Sequence, residues 1–594
     1  MKRNYAFNIT LSHLFFMGCL IFMGCLNSKK GDDKLTGNTV YVRLTGEPER
    51  LNPLTTEDAN ALQVMSQIFL PLLDLDPQTH ELVPVLAKNR AVITKIDTGL
   101  LKGGTAYSYE IRDDARWTDG SAVLATDVLF TVKAILNKKS GANNLRTSID
   151  FIQDVLLDAG NPKKITILSH ISYILAETNV GTLPILPEKV YDTEGVLHRV
   201  SVRDLVIAGR DTTVKIEAAA AIAQFATNLQ QPKFSREPTG IIGSGAYSLA
   251  EWTSGERIIL QKKSNWWGDK LAATMPLFAA LPDQLYFKIV PDETASLALV
   301  KDGKLDVVTK LAPKQFLEMQ KDVKMTNLYN FHAVPTLNLA VIGINCKSPF
   351  LTDKRTRRAL AHLVNTDYLM KTIMNGFAQP CAGPFLSQKT YYDSTLTNPE
   401  FDVEKAKKLL AKVGWVSKGG NDSMLYKQVN GQQKPLVLRY CCVAANGMAK
   451  NIGLILQENA RKIGVKIEIV PVEGKAFFDV LKKRDFDLFL NSMGMSPTLD
   501  DPKELWATSS NTPDGSNRFQ FENKNADILM DKIRAELNET KRNALYKDFQ
   551  KLIYDEQPAI FLFSPKDRIV ISNRFEALSV SRRPGYVLGQ FKLK

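Results

Sequence analysis

Few residues in this 594-residue chain are spaced to do covalent chemistry. The six histidines, at 13, 80, 170, 198, 332 and 362, show no metal-ligand spacing. No GxxxxGK(S/T) phosphate loop, HExxH zinc helix or GxSxG nucleophile elbow occurs. Acidic pairs such as Asp113-Asp114 fall in turn-like stretches, where carboxylates are ordinarily solvated. Asp500-Asp501-Pro502 reads first as a helix N-cap ahead of Lys503–Ala507, with a ligand-binding role for Asp500 as the sharper alternative. Trp506 and Trp117 could stack on a sugar or an aromatic group, although a Trp in such a setting usually packs a core. No catalytic residue, metal site or cofactor is expected, and an enzyme is disfavoured.

Elements able to position binding residues are legible from periodicity. In Tyr107–Arg112, Tyr107, Tyr109 and Ile111 alternate with polar residues, which predicts a half-buried strand. Asp113-Asp114 and Trp117–Gly120 then turn the chain. Val128, Leu129, Val132 and Ile135 follow on one helix face, with Thr126 or Asp127 near its N-cap. Strands are expected at Val40–Leu44, Tyr247–Gln261 (two, joined by a turn), Gln284–Val290 and Leu305–Val308. Helices are expected near Glu217–Leu229 and at Ala295–Lys301. Beyond about 335 the pattern alternates: helix Val403–Val413, strand Leu436–Cys442, helix Gly447–Ile463, strand Val465–Val470, helix Lys475–Lys483 and strand Phe486–Leu490. That order predicts an α/β lobe with crossover connections. Pro558–Phe563 reads as a buried strand.

The stretch Tyr107–Leu136 also resembles a segment of the family 5 extracellular solute-binding proteins of ABC transporters, the oligopeptide- and dipeptide-binding group. Further blocks resemble that family in order: Asn52-Pro53-Leu54 with Ile68, Leu72, Leu73, Asp74 and Pro84–Ala87; Gly243–Tyr247 with Trp252, Gly255, Glu256 and Asn265–Gly268; Pro291–Glu293 through Gly303–Val307; and Phe350–Ala361. The resemblance implies an α/β, two-lobed periplasmic-binding-protein-like fold (class II, cluster C type) with an extra subdomain and a hinged interlobe cleft. It divides the chain into 37–55 (lobe I, first part), 56–230 (extra subdomain), 231–334 (lobe I, second part), 335–557 (lobe II) and 558–594 (return to lobe I). Hinge crossings are then expected near Phe331–Leu339 and Gln557–Phe563. An ABC permease and its ATPase are the implied partners, the protein itself being a monomer.

In peptide binders of this family, an aspartate four residues before the Asp/Glu-Pro proline grips the ligand's amino terminus. The matching position here is Thr498, which is uncharged, and Pro497 removes a backbone donor beside it. The implied cleft edge is Asn491–Ser496, with Asn491, Ser492, Gly494, Ser496, Thr498, Asp500 and Trp506 as substrate-binding candidates. An oligopeptide is the leading ligand. An oligosaccharide, opine, metal chelate or haem on the same framework, or a sensor role, is the alternative.

The N-terminus predicts the address. Lys2 and Arg3 precede the apolar run Leu11–Leu26, which is too short for a typical span. Gly24-Cys25 at its end resembles a bacterial lipoprotein processing site, with 1–24 as signal peptide, Cys25 acylated and 25–36 as a flexible tether. Cys19 sits in a similar context, but cutting there would leave Leu20–Phe22 at the new terminus. A cell-envelope protein, periplasm-facing or surface-exposed and held on a membrane by its lipid, is expected. The net charge of +13 is spread singly along helices such as Lys405–Lys412, so solvated faces explain it, with an anionic ligand or a membrane surface left open. With an export signal, this argues against nucleic acid. Cys346, Cys381, Cys441 and Cys442 lack CxxC spacing, so buried free thiols are the simplest reading. An exported chain would also permit a Cys346–Cys381 disulfide.

Overall fold

Residues 35, 37–210, 219–419 and 422–594 are described by a computed structural model. Cys25 and its flanking segments lie outside them. Twelve strands form one long mixed sheet: β1 (Thr39–Leu44), β2 (Tyr247–Thr253), β3 (Arg257–Lys262), β4 (Gln284–Ile289), β5 (Val307–Thr309), β6 (Tyr329–Pro335), β7 (Asn338–Ile344), β8 (Ala378–Pro380), β9 (Val437–Val443), β10 (Lys466–Val472), β11 (Leu488–Gly494) and β12 (Ala559–Ser572). Their order is β10-β9-β11-β7-β12-β5-β1-β4-β3-β2, with β6 and β8 also pairing β12.

The sheet divides into two lobes along β12. Its first residues, Ala559–Phe563, pair with β7, while Ile569–Ile571 pair with β5. The chain therefore changes lobe twice at one place, at 335–338 between β6 and β7 and at 564–566 inside β12. Ala559–Phe563 share the ladder of β7, and β12 pairs with β6 from Lys566 onward. Fourteen residues of continuous strand were needed to span both lobes, and only the pairing reveals where they switch.

Local chemistry explains the elements. In the second lobe, the helix Val403–Lys412 buries Ala406 and Leu410 and is capped by Asp402, which accepts from Lys405 N at 2.8 Å. The helix Gly447–Arg461 is capped by Asn446 and returns the chain to β10, parallel to β9, in the crossover that the alternating pattern predicts. In the first lobe, residues 45–246 leave the large sheet and build a four-stranded antiparallel sheet of Val92–Lys95, Thr105–Glu110, Lys164–Ser169 and Ile152–Leu157. The N-cap of its helix Ala125–Leu136 is Leu124, two to three residues ahead of Thr126 or Asp127. Asp127 sits in the first turn and accepts from Leu124 N (2.8 Å), Glu188 N (2.9 Å) and Trp117 Nε1 (3.2 Å). Trp117 is thereby a core residue, 4% exposed, not a stacking platform for a ligand.

The glycines of Gly243-Ser244-Gly245 are a packing requirement. A Cβ on Gly243 would stand 2.0 Å from the carbonyl oxygen of Ile68, and Gly245 N donates to that same oxygen at 2.8 Å. Glu47 accepts from Trp252 Nε1 (3.0 Å), Ser254 Oγ (2.7 Å) and Gly255 N (2.9 Å), which ties the first strand's exit to the β2–β3 turn. Cys346, Cys381, Cys441 and Cys442 are all free thiols, so no Cys346–Cys381 bridge forms. Burial pushes the Cys381 thiol up to about 12 and those of Cys346 and Cys441 to about 11, which suppresses the reactive thiolate.

Candidate functional site

β11 lies beside the lobe crossing and ends in the loop 495–502. Met495 N donates to Leu337 O at 2.7 Å, and Asn345 N donates to Asp487 O at 2.9 Å. The odd-numbered backbone groups of β11 therefore face β7, and those of Leu490, Ser492 and Gly494 face the other edge. On that edge β9 pairs only with Leu488 and Phe489. From Leu490 onward the ladder to β9 has ended, leaving a short row of donors and acceptors open to an added strand.

Side chains alternate across β11, so Asn491 and Ser492 point to opposite faces and cannot both contact one ligand group. Ser492 and Gly494 are exposed; Asn491 is half-buried in the row of Phe489 and Met493. Beyond Gly494 the loop is held from within. Asp500 is buried and accepts from Tyr391 Oη (2.7 Å) and Ser496 N (2.9 Å). Its own backbone N–H donates to Tyr391 Oη at 3.1 Å, and Tyr546 Oη donates to its carbonyl. Tyr391 and Tyr546 stack at 4.0 Å, with Gln550 donating to Tyr391 O at 2.8 Å. Burial pushes the Asp500 carboxyl above the usual range, opposed by the nearby Lys389 cation and these hydrogen bonds. Both its oxygens are already engaged, so Asp500 braces the loop and offers a ligand little.

Lys389 completes the brace. Its ammonium donates to Ser496 O (2.5 Å) and to Thr498 O, and lies 3.9 Å from Asp500 Oδ2. Ser496 Oγ and Thr498 Oγ1 are 3.1 Å apart, and Thr498 N donates to Ser496 Oγ at 3.2 Å. Thr498 is thus turned into the loop's own network. Trp506 is 1% exposed and stacks on Phe519 at 4.6 Å, which makes it core.

Asp501, next to Asp500, faces the opposite way. It accepts from Lys503 N (3.0 Å), which closes a turn over Pro502, the N-cap residue of the short helix Lys503–Trp506. It also accepts from Tyr173 Oη (3.0 Å) and pairs with Arg534 Nε at 2.8 Å. Ile174 N donates to Arg534 O at 2.9 Å, and the Arg534 guanidinium lies 4.8 Å from the Tyr173 ring centre. This seam joins the small subdomain of the first lobe to the second. His80 of the first lobe shares a hydrogen bond with Ser581 Oγ at 3.0 Å, and burial, then the Lys389 and Arg582 cations, push its imidazole below its usual value.

Lys389, Tyr391, Tyr546, Tyr173 and Arg534 carry no sequence signal: each sits in an unremarkable polar run and converges only through packing. A cavity of about 160 Å³, lined among others by Gln63, Gln67, Trp266, Arg583 and Tyr586, lies within the first lobe. No wall of it comes from the loop 495–502, and it is smaller than ordinary ligand sites of about 300–1,000 Å³. The strand edge is the better candidate. Among the described residues, no three His, Cys, Asp or Glu side chains gather to hold a metal ion.

Comparison with known proteins places this geometry. The model of the bacterial extracellular solute-binding proteins, family 5 Middle, matches residues 81–516. The oligopeptide-binding protein AppA of Bacillus subtilis is 23% identical over 592 residues, covering 97% of this chain and 96% of that protein. Its structure in complex with a nonapeptide superposes with a TM-score of 0.67 at 20% identity, over 94% of this chain and 99% of that one. The structure of NikZ from Campylobacter jejuni in complex with Ni(L-His) gives 0.68 at 22% identity, over 91% and 95%.

Proposed function

The chain belongs to the bacterial extracellular solute-binding proteins, family 5, and from that premise we propose that it is the lipid-anchored substrate-binding component of an ABC importer, taking an oligopeptide between its lobes for delivery to a permease. The relatives are solute-binding transport proteins rather than enzymes. One observation carries the ligand reading: the open edge at Leu490, Ser492 and Gly494, next to the crossing where the lobes meet. An extended ligand backbone adds there as a strand, and its side chains remain free to vary. Closing the first lobe over it completes the enclosure, so ligand binding shifts an open–closed equilibrium. A metal chelate is the second reading, favoured by the nickel-complex neighbour and by the absence of an acidic residue at Thr498.

Two experiments test this. Ser492→Pro deletes an N–H that faces away from the β7 ladder. It should weaken peptide binding about tenfold by calorimetry, the loss of one hydrogen bond of roughly 1.5 kcal/mol. Unchanged peptide affinity would remove the strand edge as the binding row, and native mass spectrometry of the purified protein would then show what it carries. For the anchor, Cys25→Ser should abolish incorporation of labelled fatty acid and release the protein from the membrane fraction. Equal labelling of both proteins would exclude Cys25.

A further inference from the structure

The second lobe holds a cavity that neither β11 nor the loop 495–502 lines. At about 260 Å³ it is larger than the one in the first lobe, and its walls are mostly polar. Arg358 and His362 stand four residues apart, on one face at the C-terminal end of the helix Lys354–Ala361. Lys405 comes from the first turn of the helix Val403–Lys412, and Tyr554 from the last turn of the helix Glu539–Glu556. Thr397 and Glu400 come from the loop before Val403.

His362 is 7% exposed, and its Nδ1 lies 2.7 Å from the carbonyl oxygen of Glu400. A carbonyl accepts and cannot donate, so Nδ1 carries the hydrogen and Nε2 of the neutral ring is an acceptor. That Nε2 has no partner among the described residues, on a ring that lines the cavity. A buried acceptor in this position calls for a donor. Cations stand around it. Arg358 gives one amino group to Asp555 at 3.1 Å and keeps the rest of its fork, and Lys354 also pairs with Asp555. The Lys405 ammonium has no carboxylate partner among the described residues, and neither has the Glu400 carboxylate a cation. The cavity thus offers two cations to an oxyanion, and an imidazole and a carboxylate to a hydrogen. A ligand satisfying both must carry negative charge and a proton together.

We propose that this cavity is a hydrogen-phosphate site, with Arg358 and Lys405 on the phosphate oxygens and the P–OH group donating to Nε2 of His362. Sulfate resembles phosphate in size and shape but carries no proton near neutral pH, so it meets the Glu400 carboxylate and Nε2 with oxygen lone pairs alone. The site shares no residue with the strand edge and stands apart from the peptide reading.

Calorimetry of the purified protein at about pH 8, where an ordinary imidazole is neutral, tests it. The wild type should bind inorganic phosphate with a Kd below about 1 mM, and sulfate at least about tenfold more weakly. Lys405→Ala, at an exposed position, should weaken phosphate about fivefold. Glu400→Gln keeps the backbone carbonyl and should narrow the preference to within about threefold, chiefly by admitting sulfate. His362→Asn keeps a donor for that carbonyl but lacks Nε2, and should also lose the preference. Neither heat nor a rise in the unfolding midpoint with phosphate, equal affinity of the wild type for the two anions, or Lys405→Ala binding as the wild type does, would each overturn the proposal. Should His362→Asn fail to fold, the wild-type selectivity and the two exposed variants decide it.

Discussion

Asp500 and Asp501 are neighbours in the chain and opposites in the structure. Asp500 points into the second lobe, among Tyr391, Tyr546, Ser496 N and Lys389. Asp501 turns to the other side, where it pairs with Arg534 of its own lobe and accepts from Tyr173 of the small subdomain. Extended backbone turns successive side chains to opposite faces, which is how one acidic dipeptide serves both directions. The difference teaches which contacts belong to the fold and which to a state of it. Every partner of Asp500 comes from the second lobe, so its cluster persists whether the lobes are open or closed. Tyr173 comes from the first, so the Asp501 seam exists only while the lobes touch.

The largest effect should come from breaking the inner cluster. Asp500→Ala leaves the Lys389 ammonium, Tyr391 Oη and Ser496 N without their shared acceptor. The cost should be about 3–5 kcal/mol, as for a buried ion pair stripped of one partner. Urea unfolding measures it, and a loss under about 1 kcal/mol would show that the loop relaxes around the gap.

A second buried carboxylate sharpens the contrast between lobes. Asp306 in the first lobe is fully buried, accepts from Tyr41 N at 3.0 Å and pairs with Arg574 at 3.1 Å. Burial pushes it up to about 6, against the pull of those partners. A raised carboxyl contributes stability that is fully present below its unfolded value near 4 and is lost as pH climbs through about 6. The wild type should therefore lose about 2–3 kcal/mol relative to Asp306→Asn between pH 4 and pH 7. Parallel profiles for the two proteins would mean that Arg574 offsets the burial completely.

The seam should respond least in stability and most in closure. Tyr173→Phe removes one hydrogen bond to a carboxylate, worth roughly 1.5–3 kcal/mol where water is excluded and less at this partly exposed contact. We expect the ligand to dissociate about fivefold to tenfold faster, with the unfolding midpoint of the ligand-free protein nearly unchanged. Stopped-flow release and small-angle scattering read the two separately. An equal loss in the unfolding midpoint would place Tyr173 in the fold instead of the closed state.

How much of this was legible beforehand follows from the range of each interaction. The strands and helices were, because Val403–Lys412 or Val437–Val443 carry their burial pattern in their own spacing. The motif residues were legible as recurring blocks, but not for what they do. Asp127 receiving Trp117, and Gly243 pressed against Ile68, are contacts across turns that spacing leaves open. Within the proposed cleft edge at Asn491–Ser496, which residues face outward was not legible, because parity depends on the hydrogen bond from Met495 to Leu337, 158 residues away in the chain.

The sequence by itself therefore determined the α/β alternation, the order of the motif blocks, the uncharged Thr498 and the lack of any nucleophile or metal constellation. Each of these depends on residue type at short spacing. Tertiary structure alone decided that Trp506 is core, that Asp500 is a brace and Asp501 a latch, and that Lys389 completes the brace. The physical reason is common to all four. A polar or aromatic side chain takes its role from whichever partner burial forces on it, and those partners, Phe519, Tyr391, Tyr173 and the Ser496 carbonyl, meet them only once the chain has folded.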